Sequence, residues 1–323
     1  MKRRFSLAAL LALACLAPLA VQAAYPERSI TMLVPFAPGP TDTVGRAIAA
    51  AMEKTLGQPI VVENKPSAGG ILAPSEVARA TPDGYKILIH HIGMATTPAL
   101  YRKLAFNPLN DFEYIGLINS VPMTIIARPN FPAKNLSEMV NYVKANSQKI
   151  NLAHAGLGAA SHLCGLMFQA AINTPLTTVP YKGTGPALTD LMGGQTDIMC
   201  DQTTNTIPQI IGGKVKAYAT TTEQRLPQIK DVPTANEAGL KGFELGIWHG
   251  LYAPKGTPPE IVAKLNAALK AGLKDEGFRK RMADLGSTVY PEAMQSPAAH
   301  KKLVEAETEK WGKLIRAKGE FAD

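Results

Sequence analysis

The chain has 323 residues, 46% of them hydrophobic and only 6% aromatic, and its 34 Lys and Arg against 26 Asp and Glu give a net charge of +8. The basic residues are dispersed and few aromatics stand among them, which argues against a nucleic-acid footprint. A mild positive balance suits an anionic small molecule instead.

Residues 1–23 read as a secretory signal peptide. Lys2, Arg3 and Arg4 form a basic start, Leu7 to Ala20 an apolar stretch, and Val21-Gln22-Ala23 a small-residue cleavage site. The apolar stretch is short for a membrane anchor and contains Pro18. Cys15 lacks a lipobox, because Ala12 stands where a large aliphatic residue is needed. The mature chain is therefore expected in the periplasm. Of the net charge of +8, three positive charges fall in this segment, leaving +5. Cys164 and Cys200 remain, and the sequence leaves open whether they pair. At this length a single core tends to divide into two lobes.

From Ile30 onward short apolar runs alternate with helical stretches. Strands are predicted at Ile30 to Val34, Ile60 to Glu63, Lys86 to His90, Tyr114 to Asn119, Met123 to Arg128, Asn151 to Ala153, Thr177 to Val179, Ile198 to Cys200, Val215 to Thr220 and Glu244 to Tyr252. Helices are predicted over 42–56, 70–79, 136–146, 161–173, 184–193, 204–211 and 234–240, with a helical tail after Pro258. The alternation predicts parallel sheets covered by helices on both faces. Pro122 interrupts one strand-like stretch, and Gly246 and Gly250 interrupt another, so each suits a strand passing from one sheet to a second. The expected lobes are 24–120 plus 249–323 and 121–248, hinged near Asn119 to Val121 and Ile247 to His249.

Two glycine loops stand out. The first follows the strand ending at Val34 and leads, through Pro38-Gly39-Pro40, to Thr41 or Asp42 as a predicted helix N-cap. The second, Gly156-Leu157-Gly158, leads to Ser161 in the same role. Exposed N–H groups at a helix start, with the helix dipole behind them, attract a carboxylate or phosphate. Gly156 to Ser161 imitates a dinucleotide fingerprint, but Ser161 occupies the third glycine position and no acidic partner follows. Further glycine loops lie at Asn64 to Gly70 and Pro180 to Gly185, while Gly193-Gly194 and Gly212-Gly213 suit helix ends. The histidines, His90, His91, His154, His162, His249 and His300, show no metal-ligand spacing, and there is no nucleophile elbow. Neither an enzyme nor a metal or other cofactor is expected.

Val61-Val62-Glu63-Asn64-Lys65-Pro66-Ser67-Ala68-Gly69-Gly70, Pro82-Asp83-Gly84-Tyr85, Ser161-His162-Leu163, Val179-Pro180-Tyr181-Lys182-Gly183 and the Gly194-Gln195-x-Asp197 turn occur here in fixed order. Together they resemble the Bug-type periplasmic solute-binding receptors of tripartite tricarboxylate transporters, from about Tyr25 to the C-terminal helices. The resemblance implies an α/β Venus-flytrap of type II-like architecture, with a hinge of two crossing strands. It implies a monomer that closes on a small organic mono- or dicarboxylate and delivers it to membrane permease subunits. It also implies a carboxylate held between Phe36, Ala37, Pro38, Gly39, Thr41 and Asp42 on one side and Gly156, Ala160, Ser161 and His162 on the other. Asp201 matches an acidic position of the family, and Ser67, His91 and Thr203 complete the candidate set. The family's first loop usually carries two adjacent glycines; Gly39-Pro40 makes it one residue shorter here. The acid is left open among aliphatic and aromatic dicarboxylates such as terephthalate, with a sensor-kinase subunit or an exported enzyme as alternative readings.

Overall fold

The structure, a computed structural model, describes residues 25–318; the predicted signal peptide, with Cys15, lies outside them. In chain order the elements are β1 (Ile30–Val34), α1 (Pro40–Leu56), β2 (Ile60–Asn64), α2 (Leu72–Val77), β3 (Lys86–His91), α3 (Gly93–Leu100) and β4 (Phe112–Ala127). Then come α4 (Leu136–Ala145), β5 (Asn151–His154), α5 (Ala160–Ala171), β6 (Thr177–Pro180), α6 (Thr184–Met192), β7 (Ile198–Gln202), α7 (Thr203–Ile211) and β8 (Lys216–Thr220). The chain finishes with β9 (Gly246–Pro254), α8 (Pro259–Lys274), α9 (Glu276–Asp284), β10 (Thr288–Val289) and α10 (Pro297–Lys318).

The strands run in the order β2-β1-β3-β9-β4-β7-β5-β6, with β8 and β10 also paired to β4. Two parallel blocks, β2-β1-β3 and β7-β5-β6, are joined by antiparallel β9 and β4. The expectation of purely parallel sheets is thus corrected at the junction, because the two connecting strands cross in opposite directions. β4 is one strand of 16 residues where two were predicted. Pro122 sits where its main antiparallel partner changes from β9 to β7: Pro122 faces Gly246, whereas Met123 faces Gln202. A residue without an N–H falls naturally where one ladder stops and another begins. The predicted crossing points lie side by side, Asn119 opposite His249 and Val121 opposite Ile247.

The inner strands are apolar on both faces because helices cover both. Met32 of β1 and Ile87 and Ile89 of β3 pack with Ile48 and Met52 of α1 and Leu265 and Leu269 of α8. Leu33 and Leu88, pointing the other way, belong to a second core with Met94, Leu100 and Trp311. That second core continues along β4 through Met123 and Ile125 to Leu152, Leu163 and Phe168, so apolar packing runs unbroken from one half to the other. Cys164 of α5 and Cys200 of β7 form a disulfide, their Cα atoms 5.9 Å apart.

Three local expectations fail for identifiable reasons. The helix predicted at 234–240 is a single turn: Thr234 and Glu237 exchange capping bonds, the Thr234 Oγ1 accepting from Glu237 N at 3.1 Å and a Glu237 carboxylate oxygen accepting from Thr234 N at 2.8 Å. Gly239, at φ 105°, then turns the backbone away before a second turn forms. Helix α3 was not predicted, since Thr96, Thr97 and Pro98 are poor helix formers; buried Met94, Ala95 and Leu100 hold it in place. The C-terminal region is not continuously helical, because β10 intervenes and pairs with Asn119 and Ser120.

Candidate ligand-binding cleft

Helix α1 begins one loop beyond the carboxyl end of β1. Gly39, not Thr41 or Asp42, is its N-cap, and Pro40 is its first residue. Proline suits that position because its missing N–H would have had no helical acceptor. The N–H groups of Thr41 and Asp42 precede the first helical bond, which runs from Thr43 N to Gly39 O at 2.9 Å. The Asp42 carboxylate is engaged with Arg46 Nε, 3.0 Å from each oxygen, and so does not line the cleft.

Helix α5 has the same construction. Ala159 is the N-cap in place of Ser161, and the first helical bond runs from Leu163 N to Ala159 O at 3.1 Å. The N–H groups of Ala160, Ser161 and His162 therefore have no helical acceptor. Ser161 serves the loop instead, its Oγ accepting the Ala155 N–H at 2.9 Å. His162 Nδ1 accepts from Gly158 N at 3.3 Å. His162 packs on His154, ring centroids 5.0 Å apart.

These two helix starts meet around one small cavity of about 20 Å³. Phe36, Ala37, Pro40, Thr41 and His91 line it from one side, and Ala155, Ala159, Ala160, Ser161, Thr184, Asp201 and Gln202 from the other. Two more helices contribute their amino ends: Thr184 opens α6, and Gln202 caps α7. Four helix starts thus converge on a common point, an arrangement that favours negative charge. A volume of this size matches about one water molecule.

His91 stacks on Phe36 at 5.0 Å with 25° between the rings. Its Nδ1 accepts the Gly93 N–H at 2.9 Å. His249 of β9 places Nε2 3.4 Å from Thr41 Oγ1. Burial holds His91 well below its ordinary range and pushes His249 down to about 3, so both are neutral in the cleft. Asp201 is 1% exposed at the end of β7. Burial pushes its carboxyl up to about 7, against the opposing pull of the Asn205 amide, the Gln202 N–H and the Thr184 hydroxyl.

Of the residues singled out from sequence, Phe36, Ala37, Thr41, His91, Ala160, Ser161 and Asp201 line the cavity. Pro38, Gly39, Asp42, Ser67, Gly156, His162 and Thr203 lie behind or beside it. Pro38 is exposed, Ser67 Oγ accepts from Leu72 N at 3.2 Å, and Thr203 is fully buried. Gly156, at φ 94°, lies so close to the Ala68-Gly69 backbone that a side chain there would overlap it. Pro40, Ala155, Ala159 and Thr184 were missed. Thr184 carried a usable signal, since it sits in a glycine loop between a strand and a helix.

The two walls are also bonded to each other. Ala37 N donates to Lys182 O at 3.0 Å and Gly69 N to Ala155 O at 2.9 Å. Thr96 Oγ1 donates to Gly158 O at 2.7 Å, and Tyr101 to Leu157 O at 3.1 Å. Among the described residues no group of three His, Cys, Asp or Glu is placed to hold a metal ion, and no helix is long and apolar enough to cross a membrane.

Two α/β lobes joined by a pair of crossing strands, with helix amino ends facing one cleft, define a solute-binding receptor of the periplasmic binding protein class. Residues 44–320 match the family described as TctC, tripartite tricarboxylate transporter family receptor, and the chain belongs to that family. The solved structure of the periplasmic binding protein BugD is 53% identical, with a TM-score of 0.89 over 91% of this chain and 99% of that one. MatC from Rhodopseudomonas palustris, solved with bound malate, is 45% identical, with a TM-score of 0.87 over 90% of this chain and 100% of that one. A further R. palustris protein, solved with adipate, is 31% identical, with a TM-score of 0.85 over 91% and 98% of the two chains.

Proposed function

We propose that this chain captures a small organic carboxylate, a dicarboxylate in particular, in the cleft between its lobes and passes it to the membrane subunits of a tripartite tricarboxylate-type permease. The observation that carries the reading is the convergence of the first turns of α1 and α5, from opposite lobes, on one cavity. The N–H groups of both turns then grip the same carboxylate only when the lobes are together, so the ligand favours the closed arrangement by its differential affinity. Malate and adipate in related receptors support the chemical class. A cavity of about 20 Å³ is far smaller than either acid, so entry requires the lobes to part at β4 and β9 and the inter-lobe bonds to rearrange.

A thermal-shift screen of purified mature protein against aliphatic and aromatic dicarboxylates tests this. A ligand that binds only the folded form, at 100 times its dissociation constant, adds about 2.7 kcal/mol. Stabilisation by at least one carboxylate, with a dissociation constant in the micromolar range or below (about −8 kcal/mol or better), is the expected outcome. If sugars, cations or neutral amides stabilise the protein and no carboxylate does, the reading is wrong.

A further inference from the structure

Most of the cleft is a donor surface, but one wall has the opposite character. Asp201 faces the cavity with one oxygen engaged, Oδ2 accepting from Asn205 Nδ2 at 2.6 Å. Its Oδ1 is buried without a hydrogen-bond partner. Gln202 Oε1, one residue on, is buried and unpartnered as well. The Gln202 N–H and the Thr184 hydroxyl are near enough to favour the charged carboxyl, yet neither makes a hydrogen bond of normal geometry to Oδ1. A buried acceptor left unpaired is unfavourable. A second carboxylate placed against Asp201 would add repulsion rather than satisfy it. What satisfies it is a donor.

We propose that Asp201 selects ligands carrying a hydrogen-bond donor, hydroxyl or ammonium, on the carbon next to the carboxylate held by the α1 and α5 turns. The shared wall sets the position of that donor: Ala160, Ser161 and Asp201 line the same cavity, so a donor that meets Asp201 lies close to the carboxylate held by the α5 turn. The preferred guests are 2-hydroxy or 2-amino acids, and plain diacids are disfavoured. This inference rests on the carboxylate reading above. A ligand donor on Oδ1 also stabilises the ionised form of a carboxyl that burial otherwise keeps half protonated near neutrality.

The test is titration calorimetry of the mature protein, wild type and Asp201→Asn, with matched acids: succinate, L-malate and L-aspartate, then glutarate, L-2-hydroxyglutarate and L-glutamate. In wild type the donor-bearing members should bind about tenfold tighter or more than the plain diacid, as expected for a hydrogen bond to a charged group. In Asp201→Asn that gap should shrink to about threefold or less. The hydroxy and amino members of each set show which donor is preferred. Plain diacids that bind as tightly as their substituted partners overturn the inference and leave the carboxylate reading standing. So does a gap that survives in Asp201→Asn. If the variant does not fold, the wild-type comparison decides alone. If none of the six acids binds, the inference falls; if no other carboxylate binds either, the carboxylate reading falls with it.

Discussion

Gly185, in the first turn of α6, lies directly against the carbonyl oxygen of Pro38 in the loop before α1. A methyl group in place of its hydrogen would overlap that oxygen, and the other wall of the contact is backbone that cannot move aside. The two residues belong to opposite sides of the cleft, so the contact exists only when the lobes are together.

Gly185→Ala should therefore act as a wedge. Gly185 does not adopt a positive φ, so alanine leaves the backbone of α6 unstrained and folding itself should not suffer. Ligand affinity should fall about tenfold or more as the donors of one lobe are held away from the ligand. The unliganded melting temperature should change by no more than about 2 °C. Calorimetry paired with thermal melts checks both; unchanged affinity would show that closure tolerates the extra methyl group.

Ser161→Ala removes the hydroxyl that accepts the Ala155 N–H. It should cost about 1–3 kcal/mol of stability, because a buried donor loses its partner, and weaken ligand binding by loosening the second loop. Ser161→Thr, which keeps the hydroxyl, should recover most of both losses. Denaturant titration and calorimetry on the two variants separate the hydroxyl's contribution from that of side-chain bulk.

Acid should destabilise the protein. Burial pushes His90 and His154 down to about 4, and His162, His249 and His300 down to about 3, while His91 is also lowered. Between pH 6.5 and about 4 the unfolded chain thus binds protons that the folded one refuses, and stability drops as pH falls through that window. Each histidine contributes a slope of up to about 1.4 kcal/mol per pH unit. Asp201 acts in the opposite sense: its raised value makes the folded form the better proton binder between about 4 and 7. One carboxyl offsets only one of the histidines. Urea denaturation at pH 7.5, 6 and 5 should give steadily falling midpoints, and a flat profile would contradict this account.

The Cys164–Cys200 disulfide closes a loop across a sequence separation of 36 and ties α5 to the strand that carries Asp201. Constraining a loop of that length in the unfolded chain is worth about 3–4 kcal/mol. Replacing both cysteines with alanine should lower stability by that order. Guanidinium titration under oxidising conditions measures it, and the same titration of wild type with a reductant should approach the double variant.

The chain by itself determined its local elements and its double-sided sheet. Ile30 to Val34 and Ile87 to Ile89 are apolar almost throughout, and a strand of that kind needs cover on both faces. The loops before α1 and α5 were likewise legible, since proline and glycine punctuation after a strand is local chemistry. Pro122 marked the changeover within β4 in the same way. Only the tertiary structure decided that Thr184 and Gln202 join the first turns of α1 and α5 at one cavity, that Cys164 meets Cys200, and that Asp201 keeps an unpartnered oxygen there. Each depends on pairings such as Thr124 with Asp201 and on lobe-to-lobe bonds such as Gly69 with Ala155. Periodicity reports which face of an element is buried. It carries no information on which distant loop arrives opposite, because that is settled by the summed packing of whole sheets.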